Sequence, residues 1–157
     1  NIHLLNDIWT LWYHNPSDNN WSIDSYNKLI NIKSIEDYWV LNKYLEQKII
    51  ESSMLFMMRD GINPMWEDPN NIDGGCWSFK FQKNNIGKIW NNFIINLLGE
   101  NFLNIEDKKI INGISLSPKK NFCILKIWFK NKDYQKLDVF KKIDEINYDG
   151  SIFKSHK

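Results

Sequence analysis

The residues best suited to chemistry sit in one short, proline-bounded stretch, Asn63-Pro64-Met65-Trp66-Glu67-Asp68. A Trp followed directly by Glu puts a flat apolar ring and an acceptor carboxylate at one place. A planar base with a donor edge suits such a place. The N1–H and N2 amino group of guanine offer two donors to one carboxylate, and the ring stacks on indole for about 1–3 kcal/mol. Methylation at guanine N7 makes that ring cationic and adds a cation–π contribution. A second indole on the opposite face completes a sandwich. Taken alone, a Trp-Glu pair is more often a core ring beside a surface acid, so the rest of the chain must decide.

Catalytic sets are thin. The three histidines His3, His14 and His156 lie towards the two ends, with no Ser or Cys motif beside them. HExxH, GxSxG and paired-Cys motifs are absent from the sequence. The expectation is a non-enzyme with no cofactor. Cys76 and Cys123 lack metal-ligand spacing. A reduced intracellular compartment is the simpler reading, and a disulfide between them is the alternative.

Periodicity gives the elements that must position these residues. Residues 8–13 alternate as a strand. Asn15-Pro16-Ser17-Asp18-Asn19-Asn20 is a loop on composition and leads to Trp21. Ser34-Ile35-Glu36-Asp37 is a capping box opening a helix that carries Tyr38, Leu41, Leu45 and Ile49. Strands are predicted at 54–59 and 76–82, with a loop over 61–75 between them. Ile86, Ile89, Trp90, Phe93, Ile94 and Leu97 trace one face of a second helix, stopped by Gly99. Strands at 110–116 and 122–129 flank the break Ser117-Pro118-Lys119-Lys120-Asn121. Tyr134, Leu137, Phe140 and Ile143 mark a third helix, and the tail after Asn147 reads as loose. The fold class is α+β: a curved, mostly antiparallel sheet with about three helices on its convex face, leaving the concave face for a ligand.

Bulk properties bound the rest. The 157 residues fit one domain, 1–157. The net charge of +1 excludes a broad basic field for duplex DNA. No stretch approaches the roughly 20 apolar residues of a membrane span, and the amphipathic start does not read as a signal peptide. The first residue is Asn1 rather than Met, which reads as trimming. Asn, Ile and Lys crowd the chain, Ala is absent, and Arg59 is the only arginine. AT-rich codons produce that pattern, which weakens any reading of the Asn and Lys runs. Eight tryptophans are not explained that way.

Those tryptophans carry a resemblance. They occur in DIWTLWY (Trp9, Trp12), at Trp21 after the Asn-rich loop, and in SIEDYW (Trp39). They continue in DGINPMWED (Trp66, Glu67), GGCW (Trp77), KIWNNF (Trp90) and KIWFK (Trp128), with LLGE between the last two. In order and near spacing, the chain resembles the translation initiation factor 4E family over nearly its whole length. The resemblance implies a protein that binds the 7-methylguanosine cap of messenger RNA and recruits it for translation. Trp21 and Trp66 would stack on the base, Glu67 would read its edge, and Trp128 would touch the N7-methyl group. Trp9, Trp12, Trp77 and Trp90 are expected to be core.

An ungapped count places Lys119 where the family has an Arg, while its lysine positions hold Asn121 and Ile124. With Lys119 at the Arg position, triphosphate binding is therefore expected to be weaker than the family's, or rerouted through Lys120 or the tail; Lys126 is the other substitute, but alternation is expected to point it away. The resemblance also implies a groove of His3, Leu5, Ile35, Glu36, Trp39, Ile95, Leu98 and Gly99. That groove receives a helical peptide from the scaffold factor 4G or from a repressor, with Asn91 standing where an apolar residue is usual. A cytoplasmic monomer follows, in the host cytoplasm if the source is viral. The alternatives are a cap-binding repressor that does not bind the scaffold, and an enzyme acting on caps or nucleotides.

Overall fold

The computed structural model describes residues 1–157. Seven antiparallel strands form one curved sheet in the order β2-β1-β3-β5-β6-β4-β7. In chain order these are β1 (Leu4–His14), β2 (Tyr26–Ser34), β3 (Met54–Arg59), β4 (Gly75–Gln82), β5 (Ile111–Pro118), β6 (Phe122–Phe129) and β7 (Ile152–Ser155). The helices are α1 (Ile35–Tyr44), the single turn α2 (Gln47–Ile50) and α3 (Ile86–Leu98).

Alternation sorts each strand between two faces. Trp9, Leu11, Met57, Trp77, Ile114, Leu125 and Ile127 join Tyr38 of α1 and Trp90, Phe93 and Leu97 of α3 in the main core. α3 buries six side chains there, each stabilising by about 1.5–3 kcal/mol. The opposite, concave face carries a smaller cluster of Trp12, Phe56, Met58, Cys76 and Trp128. Trp9, Trp77 and Trp90 are thus in the main core, whereas Trp12 is buried in the smaller cluster on the concave face. The two cysteines lie in different clusters and both are free thiols.

Several local expectations are corrected. Ile49 does not continue α1. The chain breaks after Tyr44, and the Gln47 side chain is used instead to bind the start of α3, its Oε1 accepting from the Gly87 N–H at 2.6 Å and its Nε2 donating to the Lys83 carbonyl at 2.7 Å. The segment holding Tyr134, Leu137, Phe140 and Ile143 is not a helix and contains only the 3-10 turn Leu137–Val139. Its backbone bonds go to a neighbouring segment: the Asn104 N–H donates to the Val139 carbonyl and the Lys141 N–H to the Phe102 carbonyl. Phe140 then packs edge-on against Trp77 and face-on against Tyr148. The tail is not loose, because β7 pairs with β4. α3 does stop at Gly99, but the left-handed residue there is Glu100 (φ 51°), held by its ion pair to Arg59. Arg59, at the end of β3, is buried with its guanidinium over the Trp9 ring and paired also to Asp7, so the lone arginine is structural.

Candidate base-binding slot and partner groove

The strand registers put the two wall-forming loops at opposite ends of the sheet. The loop 15–25 leaves β1 beside His14, which pairs with Met54 at the start of β3. The loop 60–74 leaves β3 beside Arg59, which pairs with Trp9. Both fold over the concave face and enclose a cleft of about 270 Å³. Trp21 stands in one wall, and Pro64, Met65, Trp66 and Glu67 form the other. The floor is Tyr26, Met54, Phe56, Ser115, Ser117, Lys126 and Trp128.

Trp21 and Trp66 are each close to half exposed, at 47% and 46%, so neither ring is sunk in the core. Trp21 lies flat on the His14 imidazole, with ring centres 4.1 Å apart and planes 7° from parallel. His14 is itself buried and fixed by Nε2, which donates to the Asn20 carbonyl at 2.7 Å. The Trp128 ring forms the floor, its Nε1–H donating to the Ser115 hydroxyl at 2.9 Å. Burial, with a smaller contribution from the Glu67 charge, pushes the Tyr26 phenol up to about 12, so it stays a neutral hydroxyl beside that carboxylate.

The loop that presents Trp66 and Glu67 has almost no regular structure, yet it is tied down from within. Asp68 is buried, and its carboxylate accepts from the backbone N–H groups of Asn63 and Asn70 at 2.9 and 2.8 Å. Asn71 is fully buried, and its amide donates to the carbonyls of Asn63 (3.1 Å) and Met65 (2.9 Å). Asn112 on β5 donates to the Asn71 side-chain oxygen and to the Asn70 carbonyl, both at 2.8 Å. His156, just past β7, donates from Nδ1 to the Asn71 carbonyl at 2.7 Å. Its Nε2 is then the acceptor for the Cys76 thiol at 3.3 Å. Burial pushes that thiol up to about 12 and lowers the histidine, so both are neutral at neutral pH.

The slot gathers Trp21, Trp66, Glu67 and Trp128. Lys119 and Lys120 sit exposed in the β5–β6 turn and do not line it. Lys126 does line it, against the expectation that it points away. It shares the parity of Trp128 along β6, so alternation puts the two side chains on one face. Tyr26, Met54, Phe56 and Ser115, together with Asn71, Asn112 and His156 as anchors, were not singled out by the sequence. For the asparagines the signal was lost in a chain rich in that residue.

On the helical face, Leu5, Ile35, Trp39, Ile95, Leu98 and Gly99 line a nearly apolar groove of about 280 Å³, with Tyr38 added. Trp39 is 51% exposed. His3 and Glu36 are not lining residues; they pair with each other at 2.8 Å beside the groove. The His3 backbone N–H and then its ring hold the Glu36 carboxyl down to about 2. Asn91 does not line the groove, and its buried side-chain oxygen has no partner.

Fold and site together define an α+β domain with an indole-walled cleft on one face of its sheet and an apolar groove on the other. The model of the eukaryotic initiation factor 4E family matches residues 4–156. The chain belongs to that family, which is one of translation factors and not of enzymes. It is similar to eukaryotic translation initiation factor 4E of Candida albicans, 31% identical over 169 residues that cover 98% of this chain and 79% of that one. Its fold matches Ascaris suum eIF4E-3 solved with m7G cap, at TM-score 0.75 and 23% identity over 88% of this chain and 79% of that one. Schistosome eIF4E, solved with m7GpppG and 4E-BP, matches at TM-score 0.75 and 23% identity over 84% and 74%.

Proposed function

We propose that the chain binds the 7-methylguanosine cap of messenger RNA between Trp21 and Trp66 and brings capped RNA to the translation machinery through a helical peptide seated at Trp39. The observation that carries this reading is the slot itself. Two half-exposed indoles stand in facing walls with one carboxylate, Glu67, beside one of them and a buried indole, Trp128, on the floor. Stacking selects a flat ring, and the positive charge of an N7-methylated base strengthens it. Glu67 accepts from the N1–H and N2 amino donors and so selects guanine over bases lacking that edge. The groove supports the initiation role over a repressor without scaffold binding, because its apolar anchors are open and contiguous. The family's role as translation initiation factors and the cap and 4E-BP found with its solved relatives support both halves of the reading.

The test is retention on immobilised 7-methylguanosine of the wild type, Trp66→Ala and Glu67→Gln, with unfolding curves recorded alongside. Loss of one stacking face is expected to cost about 1–3 kcal/mol. Loss of the charged acceptor is expected to cost about 1.5–3 kcal/mol and the preference for guanine. Variants that fold and are retained like the wild type would refute the slot.

A further inference from the structure

Resting on the cap reading above, we propose that the cap's phosphate chain leaves the slot across β6, β4 and β7, and is held by Lys126 and Lys154 with the Ser78 hydroxyl between them. A second cleft of about 260 Å³ adjoins the slot and shares Trp66, Lys126 and Trp128 with it, so the two form one trough. Its remaining polar lining includes Ser78 and Lys154. The registers set these residues side by side: Ser78 pairs with Lys126, while Cys76 lies between Trp128 and Lys154. Alternation turns all of them to the concave face.

Neither Lys126 nor Lys154 is in an ion pair with an acidic side chain, and Asp73 is already paired with Lys157 at 3.0 Å. Two free ammonium groups on a trough that opens from the base slot fit a polyphosphate, to which lysine binds as a point charge. The position of Lys154 depends on β7 lying unusually close to β4. A Cβ at Gly75 would meet the Lys154 carbonyl oxygen at 2.5 Å, so only glycine permits the approach. The turn lysines Lys119 and Lys120 line neither part of this trough.

The experiment titrates full-length protein with 7-methylguanosine, its 5′-monophosphate and its 5′-triphosphate, following tryptophan fluorescence. The quantity read is the gain in affinity from nucleoside to triphosphate, which a general loss of fold or of stacking does not alter. Lys154→Gln and Lys126→Gln are each expected to cut that gain roughly tenfold, the order of one charge-assisted hydrogen bond. The double variant Lys119→Gln/Lys120→Gln is expected to keep it. A wild-type gain in Lys126→Gln/Lys154→Gln, or its loss only in the turn variant, overturns the shelf while leaving the slot standing. A wild type that binds neither nucleoside nor triphosphate overturns the cap reading, and this one with it.

Discussion

Asn71→Ala tests whether the slot's inner wall is held by its own polar interior. The side chain is fully buried and makes three hydrogen bonds, to the carbonyls of Asn63 and Met65 and from the Asn112 amide. Truncation removes three hydrogen bonds while each partner keeps another: the Asn63 and Met65 carbonyls keep the N–H groups of Met65 and Asp68, and the Asn112 amide keeps the Asn70 carbonyl. At about 0.5–1.5 kcal/mol each, the closed loop loses about 1.5–4.5 kcal/mol. If about half of that appears as opening of residues 60–74, about 1.5 kcal/mol is lost from ligand binding, roughly tenfold in affinity. The assay is fluorescence titration with 7-methylguanosine triphosphate, with denaturant unfolding to confirm a cooperative fold. Binding of a helical partner peptide is the internal control, because the groove of Leu5, Trp39 and Leu98 lies on the opposite face. Affinity for the cap within twofold of wild type would show that Trp66 and Glu67 are positioned without Asn71, and the reasoning would fail.

Trp39→Ala is expected to weaken a scaffold-derived helical peptide by 2 kcal/mol or more, as for a central interface Trp, with cap affinity unaltered; pull-down and titration read the two separately. Acidification should weaken the fold through His156. Burial holds its folded pKa below the ordinary 6.5, so below about pH 6.5 the unfolded chain takes up a proton that the native state refuses. The stability contributed by the neutral ring is present above pH 6.5 and is lost as pH falls through the folded value. Denaturant unfolding at pH 7.5 and 5.5 is expected to show a smaller difference for His156→Asn than for wild type, and an equal difference would contradict this.

Much of this architecture is legible in the residues. The strands 54–59 and 122–129 stand where their β-branched and aromatic runs place them, and the face of α3 follows its periodicity. The Trp-Glu pair in a Pro-bounded loop stands in the wall of a cleft, and it could be picked out because its chemistry is local. What was missed is non-local. β7 is a four-residue strand whose partner lies about 75 residues earlier, and nothing within Ile152–Ser155 announces that pairing. The helix expected around Leu137 fails because the Val139 carbonyl and the Lys141 N–H pair with the 102–104 segment, a choice made by tertiary packing of Phe140. Asn71 and Asn112 looked like products of codon bias, and only burial separates them from the other asparagines. Lys126 was misassigned although its parity with Trp128 was in plain sight.

The flat contact between Trp21 and His14 has a kinetic consequence. A ring already leaning on a rigid backing has few rotamers to surrender when a guest arrives, so the entropic toll of capture is modest. The guest meets a jaw that is set in advance. Association should therefore proceed at a rate governed by encounter, with residence time decided by how firmly the other jaw stays shut.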